Sequence, residues 1–391
     1  MRILMPILHY PPVIGGFEVF SQNIAERISK TDEVFVITSK VVNTPKTEQR
    51  GNLRIFRTSL FALKNLSYSK PWYIVGAMIC ILFKSWCLIK REKIDLIHAQ
   101  GFLSGILGYL LKKITKKPYL ITIQSADFSV YHPRLDIKII TKIYKKFEKA
   151  IFEKADFCHA VSNYLGDHFR QYRVKKIAVI PDGVSQEKFK LDPDKKETRK
   201  KLGFDTENLI ICVSRLEYKN GTRDLIEAAK YLQGFDFKII ICGNGSEMGK
   251  LKNMIKEFNL EKRVFLLGDI LHSELPKYVA CADIFVRPSL AEGFGIVFLE
   301  AMAAGLAIIG TPVGGIPDFL KDPSTNSGQA TGLFCKPENP KSVAEKIQTL
   351  IEDKLLVQKL TQNGFNLVKN EYNWDIISQK IKNLYSEIIN Y

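Results

Sequence analysis

Apolar and polar positions along this chain follow two alternating periods. Short apolar runs, bounded by charged or glycine-containing turns, alternate with longer stretches whose apolar residues recur every three or four positions. The runs predict strands at 3–7, 34–38, 53–56, 95–98, 119–123, 157–161 and 177–180, with helices such as 17–29 and 142–152 between them. The pattern then starts over. Strands are predicted at 209–213, 237–241, 263–267, 284–287 and 307–310. Helices are predicted at 222–232, 246–258, 273–280, 296–304, 340–351 and 355–369. Such alternation predicts parallel sheets covered on both faces, and no single sheet takes all these strands. An α/β chain of two Rossmann-like domains facing across a cleft is therefore expected. The first spans 1–186 and the second 187–373, with a last helix, 374–391, packing back on the first. The boundary falls near 183–189, before the polar stretch 192–201. Ligands of such folds bind at the carboxyl ends of the strands.

A length of 391 residues suits two domains, and 46% hydrophobic with 25% charged residues is an ordinary globular composition. The seven cysteines are scattered without a CxxC pair. They read as reduced core residues of a cytosolic protein, not as a disulfide or zinc framework. The N-terminus is a short apolar strand without signal-peptide anatomy.

Charge changes the picture. The chain carries a net +16, but residues 51–150 hold 18 Lys and Arg against 5 Asp and Glu, while residues 201–391 hold 22 against 23. The basicity belongs to the first half, and three partners answer it: solvent, nucleic acid, or an anionic membrane. The local pattern favours the membrane. Residues 139–149 form a basic amphipathic helix, 103–117 end in Lys112, Lys113, Lys116 and Lys117, and 72–83 are an unbroken small and apolar run. That run is too short for a confident membrane span. The basic region is helical and apolar, without aromatic stacking platforms, which argues against nucleic acid.

Candidate chemistry concentrates in Glu292-Gly293-Phe294-Gly295-Ile296-Val297-Phe298-Leu299-Glu300. Phe285-Val286-Arg287-Pro288-Ser289 before it reads as a buried strand ending at a proline. Gly293 and Gly295 let the backbone approach a ligand, and the following helix start offers amides and partial positive charge to a diphosphate. Glu292 and Glu300 then supply acceptors for sugar and ribose hydroxyls. A glycine turn with two solvated glutamates is the bland alternative.

Further motifs fall in order along the chain: Pro11-Pro12-Val13-Ile14-Gly15-Gly16-Phe17-Glu18, then Ile180-Pro181-Asp182-Gly183-Val184, then Val213-Ser214-Arg215-Leu216-Glu217-Tyr218-Lys219-Asn220-Gly221. Ile241-Cys242-Gly243-Asn244-Gly245, the Glu292–Glu300 segment and Thr311-Pro312-Val313-Gly314-Gly315-Ile316-Pro317 follow. In order and spacing the chain resembles a retaining GT-B glycosyltransferase of family 4 over nearly its whole length. The resemblance implies an acceptor-binding first domain and a nucleotide-sugar-binding second domain. It implies that Arg215 and Lys219 hold the donor diphosphate, that Glu300 binds ribose, and that Glu292 with the amides of Gly293, Phe294 and Gly295 holds sugar and phosphate. Gly15 and Gly16 resemble the tight loop that admits the diphosphate. Cations there stabilise the leaving diphosphate more than the bound donor, which is what catalysis needs.

The chain departs from the family at two places. Asn220 intervenes between Lys219 and the glycine. In Thr122-Ile123-Gln124-Ser125-Ala126-Asp127, Gln124 stands where many relatives carry His. Gln124 cannot titrate near neutral pH, which fits a mechanism in which the leaving phosphate itself takes the acceptor's proton. Asp127 binds the acceptor or caps a helix start, and His98 either faces the cleft or is a satisfied core histidine. The resemblance implies hexose transfer from a UDP- or GDP-linked donor to a glycan or lipid-linked acceptor, such as a polysaccharide precursor, at the cytosolic membrane face. No cofactor and no metal are expected, because Arg215 and Lys219 take the metal's place and no DxD stands in the predicted cleft loops. Two other activities are weaker. A sugar-nucleotide epimerase would want more acids and a histidine where Gln124 stands, and a dinucleotide oxidoreductase would want a GxGxxG after a strand.

Overall fold

The computed structural model describes every residue except 14, 59–70, 125–137, 190–193, 272, 326–328 and 391, with the backbone alone at 71 and 138–144. The chain forms two compact units, Met1–Asp182 with Trp374–Tyr391, and Gly183–Asn373.

The first unit runs β1 (Arg2–Pro6), α1 (Gly16–Ile28), β2 (Glu33–Thr38), β3 (Thr47–Arg50), β4 (Leu53–Arg57), α2 (Pro71–Glu92), β5 (Leu96–Gln100) and α3 (Phe102–Thr115). It continues through β6 (Tyr119–Ile123), α4 (Lys138–Lys154), β7 (Phe157–Ala160), α5 (Asn163–Arg170) and β8 (Ile177–Val179). Its eight-stranded sheet is ordered β3-β4-β2-β1-β5-β6-β7-β8. All pairs are parallel except β3 with β4. The central strands are buried on both faces, which is why they read as unbroken apolar runs. The edge strand β3, Thr-Glu-Gln-Arg, is mostly exposed and carries no apolar signal, so the expectation of purely parallel sheets does not extend to it.

The second unit runs α6 (Lys195–Lys201), β9 (Asn208–Val213), α7 (Thr222–Ala228), β10 (Phe237–Cys242), α8 (Met248–Glu257), β11 (Val264–Gly268) and α9 (Leu275–Ala280). Then follow β12 (Ile284–Arg287), α10 (Ile296–Ala303), β13 (Ala307–Gly310), β14 (Leu333–Phe334), α11 (Pro340–Glu352) and α12 (Lys354–Glu371). Its sheet, β11-β10-β9-β12-β13-β14, is parallel throughout. The polar stretch just after the expected domain boundary contains helix α6, capped by the Asp194 carboxylate, which accepts from the Glu197 amide at 3.1 Å. Arg199 anchors it. Its guanidinium is buried, donates to the Cys281 carbonyl at 2.6 Å and pairs with Asp283 at 2.5 Å.

The last helix, α13 (Trp374–Asn390), belongs to the first unit and packs along α1. Trp374, Ile377, Ile381 and Tyr385 form its buried stripe.

Candidate active site

Strand order in the second unit reverses at β9: β10 and β11 lie to one side, and β12, β13 and β14 to the other. β9 and β12 are neighbours in the sheet, and the loops beyond the carboxyl ends of strands at such a reversal are where folds of this kind carry their binding groups. Arg215 and Lys219 stand on the first loop and Glu292 on the second.

Close backbone contacts knit these loops together. The Lys219 carbonyl accepts from the Leu290 amide at 2.7 Å. Gly221 has φ +68°, and a Cβ there would overlap the Pro288 carbonyl, so the two loops can cross only at a glycine. Gly314 (φ +57°) lies against the backbone of Glu292 in the same way, and the Gly315 amide donates to the Glu292 carbonyl at 3.2 Å. On the other flank, the Glu217 carboxylate accepts from the Ser246 amide at 3.1 Å and its hydroxyl at 2.6 Å. Gly243 and Gly245 sit against the backbone of Ser214 and Leu216, which makes them packing residues of that crossing.

Two residues that sequence reasoning did not place at the site organise it. Arg287, the last residue of β12, pairs with the Glu292 carboxylate at 2.6 Å while only 11% of its side chain is exposed. It also donates to the Asn220 side-chain oxygen at 2.9 Å. Asn220 is buried and donates in turn to the Arg215 carbonyl at 2.6 Å. The residue that looked like an insertion between Lys219 and its glycine is thus the tie between the two loops. An arginine closing an apolar strand just before a proline was the signal for Arg287.

Lys219 lies among these charges. Burial pushes its ammonium down to about 8, Glu292 works against that, and Arg215 and Arg287 add to it. The site brings Arg215, Lys219, Arg287 and Glu292 within electrostatic reach of one another. Arg215 is the exposed member of the group.

Glu300 is placed differently. It is buried on α10, and burial raises its carboxyl to about 8, opposed by Lys188. Near neutral pH it holds a proton and can both donate and accept. The helix beneath it starts at Gly295 (φ +98°), where a side chain would crowd the Phe298 ring. The first amides of α10, at Ile296 and Val297, have no acceptor within the helix, as at any helix start. Phe294 anchors this loop with its ring, which is buried edge-on against Phe319 at 5.4 Å and beside Tyr372. Gly293 lies between that anchor and Glu292.

In the first unit, strand order reverses at β1, and Gly15 and Gly16 open α1 just beyond it. Gly15 is extended, and a side chain there would crowd the Glu18 carboxylate. Gly16 has open space around its Cα. Gln124, beyond β6, donates from its side-chain nitrogen to Asp182 at 3.2 Å. Asp182 is buried, and burial raises its carboxyl to about 8. Ser125 and Asp127 lie outside the described residues.

His98 is a satisfied core histidine. Burial holds His98 well below its ordinary value and His159 at about 4, so both rings are neutral. The Ile180 carbonyl, 2.7 Å from His159 Nε2, fixes the direction of the chain. His159 Nε2 donates to it, and Nδ1 accepts from the Thr122 hydroxyl at 2.8 Å. That hydroxyl accepts from His98 Nε2 at 2.7 Å, and His98 Nδ1 accepts from the Tyr385 hydroxyl at 2.6 Å.

Residues 194–367 match the family model of glycosyl transferases group 1, and residues 14–188 that of glycosyltransferase family 4. The chain belongs to the family 4 glycosyltransferases. It is 26% identical to an uncharacterized glycosyltransferase of Methanocaldococcus jannaschii over 403 aligned positions, covering 98% of each chain. It is 28% identical to the UDP-Gal:alpha-D-GlcNAc-diphosphoundecaprenol alpha-1,3-galactosyltransferase of Escherichia coli, covering 79% of each. Among solved structures, sucrose-phosphate synthase from Thermosynechococcus elongatus shares the fold. Its TM-score is 0.84 at 24% identity, over 100% of this chain and 99% of that one. This glycosyltransferase is accordingly of the GT-B fold class, with the two reversal points of its sheets carrying the loops described above.

Proposed function

We propose that this glycosyltransferase moves a hexose, with retention of configuration, from a nucleoside-diphosphate sugar to a glycan or lipid-linked acceptor at the cytosolic face of a membrane. The donor is UDP- or GDP-linked and is bound by the second unit. The observation that carries this reading is the cation cluster at the β9 and β12 strand ends. Burial holds Lys219 near 8, with Arg215 and Arg287 pushing the same way and Glu292 and Glu217 opposing them, and a diphosphate would favour its charged form. As the glycosidic bond breaks, negative charge grows on the leaving diphosphate, and fixed cations lower that barrier without reorganising. Arg215 offers two nitrogens to two phosphate oxygens and Lys219 a point charge. These cations do the work a metal ion would otherwise do.

In this reading Glu300 binds the ribose, and its neutral carboxyl both donates and accepts. Glu292, oriented by Arg287, accepts from sugar hydroxyls. The amides of Gly293, Phe294 and Gly295 line the phosphate. In the first unit Gln124 and Asp127 belong to the acceptor side, with the leaving phosphate taking the acceptor's proton on the face it departs from. The name of the Escherichia coli relative pairs UDP-galactose with a diphosphoundecaprenol-linked acceptor, the same two classes proposed here.

Saturation-transfer NMR with UDP, GDP and ADP and their common sugar conjugates tests the donor half. One conjugate is expected to bind to the wild type, and binding is expected to be lost in Glu300→Leu while the fold is kept. Glu300→Gln, which retains a donor and an acceptor, should bind more weakly than wild type and better than Glu300→Leu. Silence from every conjugate with folded wild-type protein would remove the reading.

A further inference from the structure

Helix α2 is apolar on two opposite faces. Ala77, Ile81 and Leu88 are buried, and this side packs on β1, β2 and α3. The other side carries Trp72, Val75, Ile79 and Phe83, exposed to 61%, 55%, 61% and 64%. Their spacing of three and four residues makes one stripe, roughly 17 Å long at 1.5 Å per residue. A helix facing water would place polar residues there. By length and composition α2 could cross a membrane. Its inner face, however, is built into the sheet, so lipid cannot surround it.

Basic residues frame the stripe. The helix ends in Lys90 and Arg91, and α3, packed beside it, ends in Lys112 and Lys113 and exposes Ile114. Next to α3, α4 exposes Lys145, Lys146 and Lys149 around an exposed Phe147. Some of these charges are met within the protein: Arg91 pairs with Glu92, Lys149 with Glu153 and Lys112 with Asp156. Lys90, Lys113, Lys145 and Lys146 are exposed, and Glu148 is turned inward, buried against His168 and Tyr172.

We propose that the outward face of α2, with the basic surface of α3 and α4, docks on an anionic lipid bilayer and lies in its interface. Charge decides the occupant. Residues 51–150 carry 18 basic against 5 acidic residues, so a second copy of the chain would bring like charge to the contact, whereas anionic headgroups neutralise it. The apolar stripe enters the headgroup region and the lysines meet the phosphates. Arg2, at the start of β1, donates to the Glu92 carbonyl at 3.0 Å, so the end of α2 lies at the amino edge of the sheet. Trp72, at the opposite end of the helix, lies toward the carboxyl edge, where Gly15 and Gln124 stand. Docking therefore brings the edge that carries Gln124 toward the lipid, and this last step alone rests on the acceptor reading above.

The test is sedimentation of the full chain with phosphatidylcholine vesicles, with and without phosphatidylglycerol. Binding to the phosphatidylglycerol vesicles is expected, weakened by salt and reduced roughly tenfold or more in the triple variant Trp72→Ser, Ile79→Ser, Phe83→Ser. Sugar-nucleotide binding, measured on the same samples, should be unchanged. Should the triple variant misfold, brominated phosphatidylglycerol keeps the question open to test: it should quench tryptophan emission in the wild type and much less in Trp72→Phe. The proposal is overturned if the wild type ignores anionic vesicles or the triple variant binds them as well as wild type. It is equally overturned if light scattering shows a dimer that the triple variant abolishes while vesicles go unbound. Vesicle binding without any sugar-nucleotide binding would sink the donor reading and leave this one standing.

Discussion

Each unit keeps a group of polar side chains toward the carboxyl edge of its sheet, and the two groups are opposites. In the first unit, Tyr385, His98, Thr122 and His159 pass hydrogen bonds in a single direction to the Ile180 carbonyl, every ring is neutral, and the chain ends satisfied. In the second, Arg215, Lys219 and Arg287 crowd around Glu292, and the lysine is held near 8. Both contain strongly shifted groups. The first is built of neutral rings and hydroxyls, the second of ionised groups. A perturbed titration marks burial, and a cluster of cations at a strand reversal is the better mark of an anion site.

The comparison can be broken at several points. Arg215→Ala should lower the transfer rate by about two to three orders of magnitude. Because Arg215 is exposed, its thermal melting should barely move. A collapsed melting temperature instead would make the second cluster structural, like the first. His159→Leu leaves the Thr122 hydroxyl proton without its acceptor and the Ile180 carbonyl without its imidazole donor in a buried site. It should cost about 2–4 kcal/mol of stability in a denaturant titration, with sugar-nucleotide affinity intact. A loss of catalysis without loss of stability would turn the relay into machinery.

The smallest effect is pH-dependent. Above about 8 the free enzyme's Lys219 is neutral, so a diphosphate must recruit a proton to gain the charged partner. Affinity should weaken as pH rises through that value, by at most tenfold per unit. Glu300 titrates in the same range, so Lys219→Gln separates the two. Calorimetry in buffers of different ionisation enthalpy should show proton uptake in the wild type and none from this source in the variant.

Much of this was legible in the sequence, for physical reasons. Doubly buried strands such as Tyr119–Ile123 announce themselves as apolar runs, and Gly295 and Gly314 stand where only a residue without a Cβ fits. What escaped depends on partners distant in the chain. Thr47–Arg50 pairs at an edge and needs no apolar face. Leu333–Phe334 is too short to carry a period. Asn220 has no meaning until Arg287, on another strand, supplies the second half of its contact. His98 could be settled only by Tyr385, far along the chain.

Tyr385 has one more consequence, for the order in which the protein forms on the ribosome. Most of its unit precedes the second one in the chain, yet its interior lacks Trp374 and Tyr385 until the whole of the second unit has been synthesised. The second unit is one uninterrupted segment, complete at Asn373. The second unit can therefore mature before the first, and the newborn first unit waits with an open core until helix α13 closes it.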